Sequence, residues 1–337
     1  ISKSSPKVNQ FKKIAIFILF IVFVFILIFF VVNRPKFLAG SIKNLINNIN
    51  TDIVVKDIAI EQIQWFSWRS FNMSGVNVDL KFKGTDYHLT MPSLFMNYLE
   101  GFYGKRPIIL FIKDFKINSN DLKLSNGMLN SQIFFEKFKY GTSLYSLSIN
   151  HLRFKTYEMS DLRVNALLNK ELIFIDDTAS KLYEGSVSLK GWYRFTKEAS
   201  YKIEGHLDHV NTALLAQTNT AFSHLMVITN GDFLFNSSLK EGASLHINLQ
   251  SPTGGFMKAS LLQFLAKYVP QKQQLEELIR NNEEIPVNRA QVEIISMSAD
   301  KISSNIKLFS SSVNLDMNVK FDINIDGGFW NALEYIN

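Results

Sequence analysis

The chain has 337 residues, of which 47% are hydrophobic and 20% are charged, and it contains no cysteine. Disulfide bonds and cysteine-based metal or redox chemistry are therefore excluded. The formal net charge is +6, but the lysines are scattered and form no arginine-rich block, so nucleic acid is not expected as a partner.

An uninterrupted apolar run covers residues 14–32, and it contains no charged residue, proline or glycine. About 20 apolar residues in a helix are enough to cross a hydrocarbon core of ~30 Å. The run exceeds the apolar part of a cleaved signal peptide, and polar and basic residues follow it instead of a small-residue cleavage site. We therefore predict a retained transmembrane helix at residues 14–32.

Basic residues flank this run at Lys3, Lys7, Lys12 and Lys13 before it and at Arg34, Lys36 and Lys43 after it. The positive-inside rule and the shortness of the N-terminal side favour a cytoplasmic N-terminus. The predicted organisation is a cytoplasmic tail at 1–13, the transmembrane helix at 14–32 and a periplasmic or other extracytoplasmic body at 34–337. No linker divides that body into independent domains.

The body begins with a helical pattern. After Pro35, apolar residues fall on one helical face at Phe37, Leu38, Ile42, Leu45 and Ile46. This pattern predicts a short helix that lies against the membrane surface or closes one end of the body. Two apolar segments, 211–228 and 256–268, also favour helix, and the polar segment 271–281 predicts a further one.

The longest strand pattern lies near the end of the chain. Its apolar positions alternate strictly with polar ones and are Val313, Leu315, Met317, Val319, Phe321, Ile323 and Ile325. Strict alternation places these side chains on one face of a sheet, with the polar residues on the other face.

Shorter alternations recur at roughly 8–15-residue spacing with Asn, Gly, Asp or Ser between them, which is typical of antiparallel meanders. One of them shifts from Leu147 and Ile149 to Leu152 and Phe154, and this one-residue slip indicates a bulge. The fold class predicted for the body is therefore mainly β, with an elongated antiparallel sheet and a few short helices.

Catalytic motifs are not found in the sequence: there is no G-x-S-x-G elbow, phosphate-binding loop, dinucleotide fingerprint or H-E-x-x-H pair. His206, Asp208 and His209 form the densest group of possible metal donors. Since residues three apart in a strand point to opposite faces, we interpret them as a polar turn and not as a metal site. No catalytic residue, metal ligand or cofactor is predicted, and the chain is not expected to be an enzyme.

Aromatic residues are dense at residues 65–69, Trp-Phe-Ser-Trp-Arg. Two interpretations are open for this segment. It is either an interfacial belt close to the membrane or part of the core, with a polar group at each indole.

A long sheet with one apolar face needs that face covered by another sheet, a helix or a ligand. An exposed apolar surface of several hundred Å² usually marks a binding site. An elongated sheet tethered to a membrane therefore suits acyl chains, with lipid headgroups left in water. A closed β-sandwich core is the competing interpretation.

The order of these features resembles the AsmA-like family of bacterial envelope proteins, which includes TamB-like and YdbH-like groups. The resemblance rests on a membrane helix, a short amphipathic helix and a strand at 51–58. A unit follows from His88 to Leu124. The segment 181–189 is similar to the family's strand entry, although Glu184 replaces the usual Gly or Asn, and 201–205 followed by Leu214-Leu215 is similar to its strand-then-helix step.

The resemblance implies a curved, groove-like antiparallel sheet lined with apolar side chains, anchored in the bacterial inner membrane with its body in the periplasm. It also implies a role in moving phospholipid across the cell envelope in outer-membrane biogenesis. The lining is expected to include Val313, Leu315, Met317, Val319, Phe321, Ile323 and Ile325. Because the chain is short for spanning the envelope, other envelope proteins or self-association are expected as well.

A second hypothesis makes the chain an assembly or scaffold protein of the envelope. Its β body would then be closed, and its edge strands would bind a protein partner by strand addition. An apolar face that is open favours lipid binding, and one that is filled from within favours the scaffold.

Overall fold

The structure is a computed structural model, and it describes residues 34–49, 53–67, 69–82, 84–97, 107–136, 139–194, 200–218, 223–238, 242–269, 272–298 and 301–324. Among these residues, no helix is both long and apolar enough to cross a membrane. The predicted transmembrane helix at 14–32 lies outside the described residues, and so do the predicted cytoplasmic tail and Trp68.

The described helices are short. They are α1 (Pro35–Ile49), α2 (Thr212–Thr218), α3 (Ala259–Leu265), a 3₁₀ turn (Ala266–Tyr268) and α4 (Lys272–Asn281). The helices predicted after Pro35 and at 271–281 are confirmed as α1 and α4. The two apolar predictions were too long, because the segment 211–228 is already a strand from Leu225 onwards and the segment 256–268 begins as a strand.

Eighteen strands form the rest of the described body. They are β1 (Ile53–Ala59), β2 (Gln62–Ser67), β3 (Ser70–Phe82), β4 (Thr85–Asn97), β5 (Ile108–Asn118), β6 (Leu122–Glu136), β7 (Lys139–Phe154), β8 (Tyr157–Leu168), β9 (Leu172–Leu182), β10 (Gly185–Arg194), β11 (Ser200–Asn211), β12 (Leu225–Ser238), β13 (Gly242–Ser251), β14 (Gly255–Lys258), β15 (Glu284–Val287), β16 (Arg289–Ser298), β17 (Lys301–Ser310) and β18 (Leu315–Asn324). The mainly β class is thus confirmed.

All the strand pairings are antiparallel, and most join consecutive strands, so the chain runs as one long meander. At one edge, β3 pairs with both β1 and β2; at the other edge, β18 pairs with β17. One described segment interrupts this order of consecutive pairings. It comprises β14, α3, the 3₁₀ turn, α4 and β15, and the strand that follows it, β16, pairs with β13.

Several bulges keep apolar residues three apart in sequence on one face. The shifts between Ile112 and Phe115 and between Leu207 and Val210 each contain a residue with positive φ, Asp114 or His209. Ile149 and Leu152 likewise pack in one apolar cluster, but neither pairing of β7 has a register shift between them, so the predicted bulge in β7 is not found. A residue in the left-handed region changes the direction of the strand and restores the apolar face after the extra residue.

Two separate apolar clusters lie towards the two ends of the sheet. The N-terminal cluster consists of Val55, Met73, Val76, Val78, Met91, Leu94, Phe115, Leu124 and Ile149. The C-terminal cluster consists of Met257, Leu262, Leu265, Leu275, Ile285, Val287, Ala290, Leu308, Leu315, Met317, Val319 and Phe321. They share no residue, whereas two facing sheets of a sandwich bury one continuous core between them.

The hairpin between β9 and β10 has a two-residue turn in which Tyr183 has φ 47° and Glu184 has φ 68°. Glu184 is the position at which the sequence departs from the Gly or Asn of the resembled family. Left-handed backbone costs a residue with a Cβ about 1–2 kcal/mol, and glycine avoids that cost.

We predict that Glu184→Gly stabilises the protein by about 1 kcal/mol, measured by chemical denaturation. Glu158→Gly, near the start of β8, is the matched control and should destabilise by a similar amount, since glycine weakens a regular strand. A destabilised Glu184→Gly variant would contradict the left-handed turn.

Candidate functional site

The two faces of the sheet differ completely in charge. Ion pairs join strands on one face, which we call the charged face. Lys301 of β17 pairs with Asp322 of the adjacent β18 at 2.8 Å, and Lys56 of β1 reaches across β3 to Asp86 of β4 at 2.8 Å. The opposite face, called the apolar face, carries both apolar clusters. The period of two in a pleated strand produces this separation in every strand whose register is kept.

Cross-strand registers align one row of side chains on the apolar face through fifteen strands. This apolar row consists of Ile63, Met73, Leu94, Ile112, Leu129, Leu147, Val164, Thr178, Leu189, Gly205, Phe233, Ile247, Ile294, Ser304 and Phe321. At about 4.8 Å per strand, the row is about 67 Å long. It contains no charged residue, and only three of its members are polar or lack a side chain.

Gly205 leaves no gap in this row. A Cβ placed on Gly205 would lie 2.1 Å from the Cζ atom of Phe233, so the phenyl ring of Phe233 covers the glycine. The close approach explains why this position has no side chain, and it keeps the surface apolar between Leu189 and Ile247.

Helix α1 covers the N-terminal end of the apolar face. Leu38 and Ile46 of this helix pack against the N-terminal cluster. The side chain of Asn47 accepts a hydrogen bond from the Val55 amide at 2.7 Å and donates one to the Val55 carbonyl at 3.2 Å. Asn47 therefore satisfies the backbone of the edge strand β1 as a neighbouring strand would.

The C-terminal end is covered by α3, the 3₁₀ turn and α4. Leu262 and Leu265 of α3 are completely buried, and the ring of Tyr268 stacks on Phe321 with 4.9 Å between centroids. Phe264 meets Phe321 edge to face at 5.6 Å. These helices seal the apolar face over the last strands.

The residues predicted to line a lipid groove lie at this sealed end. Leu315, Met317, Val319 and Phe321 are buried in the C-terminal cluster, and Val313 is half-buried in the turn before β18. The side chain of Ile323 and the whole of Ile325 lie outside the described residues. Contact of this row with lipid stays a prediction, and in the structure other side chains of the chain cover the buried four.

Between the two clusters, strands β9–β13 present apolar side chains that belong to neither. We call the accessible members of this set the open segment; they are Ile173, Ile175, Leu189, Tyr193, Tyr201, Ile203, Leu207, Phe233, Phe235, Ile247 and Leu249. Val187, Val210, Val227 and Leu245 of the same strands are buried and are not part of it. All members of the open segment are partly or largely exposed, and Ile203 is 37% exposed. Among the described helices, α2 packs on β12, where the Val227 amide donates to Thr212 Oγ1 at 2.8 Å.

The sequence contains a signal for the open segment. Tyr201, Ile203, Gly205 and Leu207 alternate with polar residues as clearly as the residues of β18 do. Bulges interrupt the neighbouring patterns, and the helices that cover β18 are not adjacent to it in sequence. Which apolar row is exposed therefore depends on the tertiary structure.

The Trp-rich segment divides between the two faces. Trp65 packs on Phe71 of the apolar face, with 5.1 Å between ring centroids, and the adjacent Phe66 is 60% exposed. Phe66 lies 6.2 Å from Phe95 on the charged face. Trp65 therefore packs on the apolar face without being fully buried, Phe66 remains at the surface, and both interpretations of the segment stay predictions.

The charged face also holds the histidines considered as metal donors. His206 Nδ1 lies 2.7 Å from Asp232, and His209 Nδ1 lies 2.6 Å from Asp208. Among the described residues, no group of three or more His, Cys, Asp or Glu side chains has the geometry to hold a metal ion. His209 is part of the bulge within β11, so the predicted polar turn after the strand is wrong.

Glu204 lies between two lysines on this charged face. Hydrogen bonds from Lys202 and then Lys190 lower the pKa of the Glu204 carboxyl below its ordinary value. The resulting stabilisation is present at neutral pH and is lost as the pH falls through the lowered pKa. A cavity of about 570 Å³ adjoins this group, and charged side chains such as Asp176, Lys190 and Asp232 line it together with Leu189, Phe233 and Leu234.

Comparison with known proteins does not assign the chain: no family model matches it, and neither a curated protein nor a solved structure shows significant similarity to it. The function is therefore argued from the sequence and the geometry.

We predict that Val319→Asp destabilises the protein by more than about 3 kcal/mol, because an unpaired carboxylate would be placed in a site that is 1% exposed. Lys307→Asp, on the exposed face of the adjacent strand, is the control and should change stability by less than about 1 kcal/mol. Thermal and chemical denaturation measure both. A stable Val319→Asp variant would show that the helices leave the row accessible.

Proposed function

We propose that this chain is a membrane-anchored lipid-binding and lipid-transfer protein of the bacterial cell envelope, in which a curved β-groove holds acyl chains. The observation that carries the proposal is the uncharged row that continues across fifteen strands. Long apolar surfaces in contact with water usually mark binding sites, and an uncharged strip selects an apolar ligand.

The open segment is the part of the row where acyl chains are proposed to bind. It crosses five strands and is about 19 Å wide at ~4.8 Å per strand. One leaflet of a bilayer contributes about half of a ~30 Å hydrocarbon core, so the segment is wide enough for one layer of acyl chains. The headgroup would extend beyond the sheet into water.

The anchor proposed at residues 14–32 would hold this surface close to the inner membrane, with the body at 34–337 in the periplasm. Helix α1 directly follows the anchor in sequence and attaches to β1 through Asn47. The single long antiparallel sheet agrees with the architecture implied by the AsmA-like resemblance, and membership of that family is part of the proposal.

The proposed mechanism involves no bond-making step. Acyl chains would move by exchanging one apolar contact for another of nearly equal free energy along the sheet. A charge in the strip would raise the free energy of that position, because an ion gains little solvation among hydrocarbon chains.

Ile203→Asp tests the proposal because Ile203 lies in the open segment and is exposed enough to tolerate the change. Ile295→Asp is a matched control: Ile295 is 38% exposed, also lies within a strand and projects from the charged face. The full chain would be expressed in cells fed a photoactivatable fatty acid, irradiated, and its crosslinked peptides quantified by mass spectrometry.

We expect lipid crosslinks on peptides of β9–β13 to fall about tenfold in Ile203→Asp and to stay unchanged in Ile295→Asp. Crosslinks on the peptide containing residues 14–32 serve as an internal reference for membrane insertion. Equal crosslinking of β9–β13 in both variants, or none in the unmodified chain, would reject lipid binding by the open segment and favour the scaffold hypothesis.

A further inference from the structure

The two edges of the sheet are built differently. The N-terminal edge consists of the short strands β1 and β2, each with a register irregularity against β3. Asn47 also bonds both backbone groups of Val55 at that edge. Short strands, bulges and covered backbone groups are the usual means of preventing edge-to-edge pairing.

The C-terminal edge has none of these protections in the part of the chain that is described. Strand β18 is ten residues long, contains no proline and pairs with β17 from Leu315 to Asn324 without any shift. No described strand pairs with its outer side. A long, regular edge strand presents a row of backbone donors and acceptors that another strand can satisfy.

We propose that a second copy of this chain pairs with this edge, β18 against β18 in antiparallel orientation, centred on Asn318. The faces restrict the possible registers, because each apolar residue of one copy must stand opposite an apolar residue of the other. Only registers that pair odd-numbered with odd-numbered positions meet this condition.

Charge selects one register from these. When Asn318 stands opposite Asn318 of the second copy, Asp316 stands opposite Lys320 of the second copy, and the symmetry repeats this pair. On the apolar face, Met317 then stands opposite Val319 and Leu315 opposite Phe321. Opposite charges directly across an antiparallel pair are stabilising.

The neighbouring registers lose this complementarity. A shift of two residues in one direction places Asp316 opposite Asp322, and a shift in the other direction pairs Asp316 with Asn318 and leaves Lys320 without a carboxylate. Shifts of four residues place Lys320 opposite Lys320 or Asp316 opposite Asp316, and like charges directly opposite are destabilising. A shift of six residues, centred on Phe321, places Lys320 opposite Asp322, but Asp322 is already bound to Lys301 at 2.8 Å. The register centred on Asn318 is therefore favoured, because it pairs opposite charges without breaking that ion pair.

The side chains that this pairing uses are accessible. Asp316, Asn318 and Lys320 are all exposed, and within the described chain neither Asp316 nor Lys320 takes part in an ion pair. Asp322, which the pairing does not use, is already bound to Lys301 at 2.8 Å. The proposal rests on the edge and its charges, so it is independent of lipid binding.

Asn318→Cys in the full chain, purified in mild detergent, tests the pairing directly, since the chain has no other cysteine. Residues directly opposite in an antiparallel pair are close enough for a disulfide. We expect mild oxidation to convert most of this variant to a covalent dimer.

Two control variants define the register. Asn165→Cys is equally exposed on the charged face but lies in the interior strand β8, and it should remain monomeric on a denaturing gel. Asp316→Cys lies on β18, but its counterpart in the second copy would be about 14 Å away, too far for a disulfide. Equal crosslinking of all three variants, or none in Asn318→Cys, would overturn the proposal.

A charge exchange supplies the second test. Asp316→Lys and Lys320→Asp should each weaken the dimer about tenfold in sedimentation equilibrium, and the double variant Asp316→Lys with Lys320→Asp should restore it. Failure of the double variant to restore association would overturn the register, and a monomeric unmodified chain would overturn the dimer itself.

Discussion

The rest of the structure depends on the two-residue period of the β-pleat being kept in register across the sheet. A one-residue slip in any strand would move its charged side chains to the apolar face. Bulges containing residues with positive φ, such as Asp114, Asp161 and His209, absorb extra residues without such a slip. The uncharged row therefore survives in strands whose sequences do not alternate strictly.

The covering of the apolar face then determines what different parts of the sheet can do. At both ends, helices of the same chain replace water, and the clusters there stabilise the fold. Between them, the open segment is exposed at Ile203 and Tyr193, so its apolar side chains are available to a ligand. The same face thus stabilises the fold where helices cover it and is proposed to bind a ligand where they do not.

The charged face and the edges complete this division. Ion pairs between adjacent strands keep one face solvated, as Glu204 shows between Lys190 and Lys202. At one edge, Asn47 of α1 bonds the outer backbone groups of Val55. At the other edge, no described strand pairs with the outer backbone groups of β18. An open sheet must control its edges as well as its faces, and here the two edges are treated differently.

The sequence by itself determined the β class, α1, α4 and the apolar face of β18, because each depends on the period of a short segment. It did not determine that β18 is sealed by α3 and Tyr268, or that Ile203 is exposed and Phe233 only half-buried. Whether a strand is covered depends on helices and strands that are distant from it in sequence, and local periodicity contains no information on such long-range contacts. The tertiary structure therefore decided which part of the predicted face is core and which part is a candidate site.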